Sequence, residues 1–138
     1  VSYIYTEGNY SLVKDVENSP VVERGIMAEP SIKQAKKPDH FGYIFSGLIN
    51  VPVEGVYEFY TQTDDGSKLY IDNELVVDND TSHAAIVATG RIPLKKGFHS
   101  YRFLYFEDYE GESLNWGWKV PGTTDFANIP ANSLYITK

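Results

Sequence analysis

Five aspartates fall within the stretch TQTDDGSKLYIDNELVVDND, Thr61 to Asp80, among residues that otherwise favour strands. Asp64 and Asp65 are adjacent and are followed at once by Gly66 and Ser67. Two neighbouring carboxylates can supply oxygens to a hard cation and, through it, to a ligand. The same four letters also suit a turn, with an Asp accepting backbone N–H groups and Gly66 at positive φ. Asp78, Asn79, Asp80 and His83 form a second polar cluster, and Glu107, Asp108 and Tyr109 a third. Asp and Asn side chains match the paired donor and acceptor character of sugar hydroxyls, and Tyr109 offers a flat apolar surface. For Asp78–Asp80 the competing reading is a strand end and a solvated loop.

Other chemistries find less support. The three histidines, His40, His83 and His99, stand in no zinc-binding spacing. With no cysteine there are no disulfides, thiolate sites or thiol nucleophiles. Carboxylates are plentiful, but glycoside hydrolysis needs two of them facing across a cleft, one with a raised pKa, and Asp64-Asp65 is a polar turn-like pair. No nucleophile elbow or phosphate loop is present; the glycines mark turns. Trp116 and Trp118, two apart, share one face of a strand, and a core position with both indole N–H groups bonded to backbone is the expectation.

The 138 residues correspond to one domain, able to bury about two thirds of its unfolded surface. Nineteen acidic against twelve basic residues give a formal charge of −7, which repels nucleic acid and anionic membranes. Lys36-Lys37 and Lys95-Lys96 read as solvated turn lysines. The chain shows no leader and no membrane-length apolar run, so it reads as a mature domain or a piece excised from a longer protein.

The elements that must position these groups are strands. Eleven tyrosines and a single methionine favour pleated sheets over helix packing. In HFGYIFSGLINVP, residues Phe41, Tyr43 and Phe45 recur at the strand period of two. GVYEFYTQT follows after Pro52 to Gly55, and the spacing predicts that the two runs pair as a hairpin. KLYIDNELVVD predicts a second hairpin turning at Asp72-Asn73, residues that tolerate left-handed backbone. GRIPLKKGFHSYRFLYFED predicts a short strand, a Lys-Lys-Gly turn and a long strand, with Pro93 marking an edge. SLNWGWKVPG and NSLYITK predict two more. Ser31 to Lys37 is the one candidate helix. No long-period repeat or linker divides the chain, and the whole pattern predicts an all-β sandwich or barrel.

The run DDGSKLYIDNELVVDND, preceded by VPVEGVYEFYTQT and followed by GRIPLKKGFHSYRFLYFE and SLNWGW, resembles the PA14 domain, named for the anthrax protective antigen. The resemblance runs from about Tyr5 to IPANSLYI. It implies an antiparallel β-sandwich or barrel that acts as a non-catalytic carbohydrate-binding module within larger secreted, periplasmic or cell-surface proteins. YTEGNYSLVKDVENSP and DHFGYIFSGLINVP look most like modules attached to bacterial glycoside hydrolases such as β-N-acetylhexosaminidases. In the yeast adhesins of this fold, two aspartates joined by a cis peptide bind calcium, which coordinates sugar hydroxyls; Asp64 and Asp65 match that pair. A neighbouring loop there supplies an Asn. Phe106 to Ser113 has none, although Asn115 lies just beyond and Glu107, Asp108 and Glu110 could supply oxygens.

These readings place a shallow glycan site on the loops around Asp64-Asp65, Asp78-Asn79-Asp80 with His83, and Glu107-Asp108-Tyr109, with calcium as a possible cofactor. Water competes for each polar contact there, so affinity is expected to be weak. The alternative is a structural module that packs on a catalytic domain of the same polypeptide and has no sugar affinity of its own.

Overall fold

The alternation of apolar and polar residues that predicts strands becomes, in the computed structural model, two facing sheets; residues 1–81, 83–108 and 113–137 are described. In chain order the strands are β1 (Ser2–Glu7), β2 (Glu23–Ile26), β3 (Phe41–Val51), β4 (Gly55–Asp64), β5 (Ser67–Ile71), β6 (Glu74–Asn79), β7 (Ile86–Leu94), β8 (Gly97–Glu107), β9 (Ser113–Lys119), β10 (Ala127–Asn128) and β11 (Leu134–Tyr135). The larger sheet has the order β2-β1-β3-β8-β5-β6, with β11 also paired to β3. The smaller has the order β10-β9-β4-β7. All pairings within them are antiparallel.

Between the sheets lies an aromatic core. Phe41, Tyr43 and Phe45 are buried on one face of β3, and Tyr57 and Phe59 on the facing side of β4. Trp116 stacks on Phe103 at 5.2 Å, and Trp118 lies 5.3 Å from Tyr57, so the tryptophan pair belongs to the core. The indole N–H groups depart from expectation: neither bonds to backbone among the described residues, and neither nitrogen is a sealed, unpartnered atom.

The predicted β3–β4 hairpin does not form. β3 pairs with β1, β8 and β11, and β4 pairs with β7 and β9, so Pro52–Glu54 carries the chain from one sheet to the other. Both strands carry a full face of large aromatics. Placed side by side they would expose one common apolar surface; placed in opposite sheets, each covers the other. The Lys95-Lys96 turn likewise crosses between sheets, from β7 to β8. Pro93 does lie on an edge strand, although β7 is nine residues long rather than short.

The Asp72-Asn73 hairpin forms, with φ of 51° and 66° at the two corner residues and Ile71 opposite Glu74. Asp72 also ties this tip to β8. Its carboxylate meets the His99 ring at 2.6 Å and accepts the Ser100 N–H at 3.3 Å.

No helix forms over Ser31 to Lys37, where Ile32 and Ala35 instead pack on the core from a loop. The helix is α1 (Val13–Glu17). Val13 and Val16 join Tyr10, Leu104 and Phe106 in a second apolar cluster, on the side of β8 that faces away from the main core. Its first turn is held by the Asp15 carboxylate, which accepts the Ser11 and Leu12 N–H groups at 3.1 Å each.

At one side the two sheets come close enough for backbone contact. A Cβ on Gly90 of β7 would lie 1.7 Å from the Val76 carbonyl oxygen of β6. Gly90→Ala is therefore expected to lower stability by about 2–4 kcal/mol, because backbone rather than a flexible side chain must yield; urea unfolding checks it. A pH effect follows from the hairpin tie. Burial alone would lower the His99 pKa, but the Asp72 carboxylate and the Lys95 carbonyl outweigh it and raise the value above the ordinary 6.5. The added stability is fully present below about pH 6.5 and is lost as pH rises through the folded-state value. Asp72 is half exposed, so the gain is under about 1 kcal/mol. The melting-temperature advantage of the wild type over His99→Gln is expected to shrink from about pH 6 to pH 8.

Candidate functional site

The antiparallel registers bring several strand ends to one end of the sandwich. β8 ends at Glu107 opposite Phe41, where β3 begins, and β4 ends at Asp64 opposite Ser113 of β9. β5 starts at Ser67 opposite Asn79, the last residue of β6. Asp64 and Asp65 form the corner between β4 and β5, and the peptide joining them is cis.

The corner is bound to β8 through backbone. Asp65 N–H donates to the Phe106 carbonyl at 3.1 Å, and Phe106 N–H donates to the Gly66 carbonyl at 3.0 Å. The Tyr105 hydroxyl donates to the Asp64 carbonyl. Gly66 is needed for close approach rather than for positive φ: a Cβ there would lie 2.5 Å from the Phe106 ring and 2.8 Å from the Thr81 carbonyl oxygen. Nor does Asp65 make the local turn expected of it. Its carboxylate, 3% exposed, accepts the His83 N–H at 2.9 Å on Oδ1 and the Asp108 N–H at 2.8 Å on Oδ2. One buried side chain thus fixes two loops that the chain reaches 18 and 43 residues later.

Beside it lies Glu107, fully buried, with neither carboxylate oxygen bonded to a donor among the described residues. Burial, followed by the Asp39 and Asp65 carboxylates, pushes its pKa up to about 9. Those neighbours are acceptors like Glu107 itself and leave an ionised carboxylate unsatisfied. Burial and the Asp65 charge also raise the Asp64 pKa, with His83 opposing. One oxygen each from Asp64, Asp65 and Glu107 lie within 4.8 Å of one another. Three converging carboxylates around one small volume, one of them without a donor, match the all-oxygen donor set that a calcium ion takes.

The remaining candidates serve other ends. Asn79 is 7% exposed and its amide is used internally, donating to the Ile86 carbonyl at 2.8 Å and to the Thr61 hydroxyl at 3.4 Å. Asp80 accepts the Val13 N–H at 3.0 Å, holding the start of α1, and faces Lys68 Nζ at 3.8 Å. Asp78 is exposed and bonds the Asp80 N–H. The His83 ring lies against the Asn79 and Ala84 carbonyls, so what it offers the carboxylates is its backbone N–H. Asp108 faces His40 at 3.7 Å. Tyr109 and Glu110 lie outside the described residues.

Two features escape a reading of the sequence by motif. Asp39, two residues before β3, acts on Glu107 with no local signal in the sequence. The buried ladder beneath the site, where Thr63 and Ser67 hydroxyls meet at 2.8 Å and Ser67 reaches Thr61 at 3.1 Å, does carry one: Thr61 and Thr63 share the strand parity of Tyr57 and Phe59.

The sequence model of the PA14 domain matches residues 3–130. No curated protein matches the chain. Among solved structures, an anti-sigma factor domain-containing protein superposes with a TM-score of 0.82 at 22% identity, over 99% of this chain and 48% of its own. This chain thus spans about half of that one. A PA14 sugar-binding domain from an RTX adhesin gives 0.77 at 16% identity, over 99% and 97%. The epithelial adhesin 6 A domain from Candida glabrata, in complex with Galβ1-3GlcNAc, gives 0.76 at 9%, over 99% and 86%. At these identities the likeness is one of fold.

Asn79→Ala is expected to lower stability by about 1–3 kcal/mol, because it strips the bond to the Ile86 carbonyl at the closely packed end of the two sheets. Chemical denaturation measures this without any ligand.

Proposed function

The chain belongs to the PA14 domain family, matched over residues 3–130, and from that premise we propose that it is a non-catalytic carbohydrate-binding module whose site is the Asp64-Asp65-Glu107 end of the sandwich. The observation that carries this reading is the Glu107 carboxylate, buried and without a donor, beside two more carboxylates. Ionising Glu107 beside two other carboxylates is costly in the bare site, and a divalent cation would reconcile the three charges.

Asp64, Asp65 and Glu107 would hold calcium. When bound, the ion supplies positive charge that sugar hydroxyl oxygens can coordinate. Asp65 and Glu107 form the buried floor and Asp64 the partly exposed side. The His83 and Asp108 N–H groups orient Asp65. Asn79 and Asp80 hold the adjoining loop, Asp78 lies at its exposed edge, and Tyr109 is the aromatic contact to the sugar. The sugar-binding domain of the RTX adhesin and the Galβ1-3GlcNAc complex of the epithelial adhesin, both fold relatives, support a glycan as the ligand.

The parent in this proposal is a larger secreted, periplasmic or cell-surface glycoside hydrolase of the β-N-acetylhexosaminidase kind, on the likeness of the opening segment and of residues 39–52 to modules of such enzymes. Among the described residues no helix is long and apolar enough to cross a membrane.

Calcium is expected to raise the melting temperature, by an amount equivalent to about 2.7 kcal/mol at a hundredfold excess over its dissociation constant. Asp64→Asn should weaken calcium binding by about tenfold or more. Glu107→Gln should reduce the gain from calcium, by removing an oxygen ligand that can ionise when the cation binds, while changing the metal-free chain little near pH 7, because a group whose pKa is pushed up to about 9 is already neutral there. A glycan array, followed by NMR titration, should show calcium-dependent shifts at residues 64–66 and 83. An unchanged melting temperature with calcium and with chelator removes the cation. Calcium binding with no glycan bound leaves the module as a packing element of its parent.

A further inference from the structure

A hollow of about 260 Å³ lies on the flank of the smaller sheet, walled by the segment 29–33 on one side and by β9 and β10 on the other. None of Asp64, Asp65 and Glu107 lines it. Its volume is below the range of about 300–1,000 Å³ that encloses a drug-sized molecule, and suits one ring-sized group of a larger ligand.

The lining is of a particular kind. Asn115 is exposed, and its amide bonds to no described residue. Asn128 accepts the Tyr60 hydroxyl at 3.3 Å on its oxygen, which leaves its NH₂ donors available. Trp116, only 6% exposed, also lines the hollow, and its indole N–H is one of the two noted above. The nitrogen itself is not sealed from solvent, so an oxygen bound there takes the place of water. Leu114 and Ile129 add an apolar floor. Glu29 and Lys33 stand at the rim, one of each sign, neither in an ion pair with a described residue. The wall is therefore close to neutral, in a chain whose overall charge is −7.

From the two amides, the indole N–H and the apolar floor around one hollow, we propose a second glycan site, for one neutral pyranose ring of an oligosaccharide, that works without a metal ion. Hydroxyl groups are donor and acceptor at once and match Asn amides, which offer both. The Trp116 N–H takes a ring or hydroxyl oxygen, and the apolar face of the sugar rests on Leu114. Rim charges that cancel favour a neutral ligand over an anionic or cationic one. The arrangement owes nothing to the carboxylate cluster, and so stands whether or not the cation reading does.

The test is a ¹H–¹⁵N NMR titration of the 138-residue chain in EDTA with three neutral probes: N,N′-diacetylchitobiose, cellotriose and maltotriose. At least one probe is expected to shift the Trp116 indole resonance and the Asn115 and Asn128 side-chain amides. These shifts should persist in Asp64→Ala, and Asn115→Ala with Asn128→Ala should weaken binding by about tenfold. Asn115→Ala alone, an exposed change, keeps the test valid if the double variant loses its fold. Absence of shifts at these groups with all three probes overturns the proposal, as does their loss in Asp64→Ala. If calcium fails to bind while the EDTA shifts persist, the cation site falls and this one stands.

Discussion

The carboxylate end of the sandwich depends on a single buried acceptor. Asp65 brings a negative charge to a place where water cannot solvate it, and the His83 and Asp108 N–H groups supply the compensation. Those two donors belong to different loops. Because a buried carboxylate left without them would be unstable, the loops are pinned to the β4–β5 corner, and with them the geometry that holds Glu107 and Asp64 close. Asp39, Asn79 and the Thr61–Thr63–Ser67 ladder then act as supports, each satisfying or crowding a polar group at the same end of the sandwich.

Opposed to this polar end is the rest of the interior, an aromatic core that fixes which sheet each strand enters. The core explains why consecutive strands β3 and β4 part company, and why β7 and β8 do so too. Both crossings are arches between layers, made because each apolar face needs the other. Where the layers approach most closely, at Gly90 and Val76, the Asn79 amide bridges from β6 to the Ile86 carbonyl at the start of β7. Core packing and the polar end are thus joined through one side chain.

Much of this was legible in local pattern. Period-two alternation located β3 to β9 but not β1, β2 or the short β10, left-handed tolerance at Asp72-Asn73 located one hairpin, and Pro93 marked an edge. The Asp64-Asp65 pair pointed by resemblance to the end of the sandwich where the site is proposed. Strand partners were not legible, since alternation tells which face is buried but not which sheet lies opposite. The helix α1 was missed because its only apolar signal is Val13 and Val16, and its stability comes from Leu104 and Phe106, about ninety residues away. Glu107 was named as an oxygen donor, but a glutamate ending a strand reads as exposed. Only the closure of β8 against β3 shows that it is buried without a donor. Asn79 and Asp80 read as a ligand loop for the opposite reason: polar residues at a strand end look solvated until their partners, Ile86 and Val13, are placed beside them.

The carboxylate cluster and the flank hollow sit on one strand pair. Asp64 lies opposite Ser113, and two residues back along β4 Gln62 lies opposite Asn115, a separation of about 7 Å at the rise of an extended chain. The two places differ in physical character. As proposed, one concentrates carboxylates in a buried volume and would gain its affinity from a cation; the other is lined by neutral amides and would depend on hydroxyl bonding in competition with water. Neither is suited to tight binding alone. Held at a fixed spacing by the β4–β9 ladder, they can engage successive parts of one oligosaccharide, and a second contact made within an already bound chain benefits from a high effective concentration. The rigid antiparallel register of β4 and β9 would then set which glycan lengths are retained, through the distance between two weak contacts rather than through the strength of either.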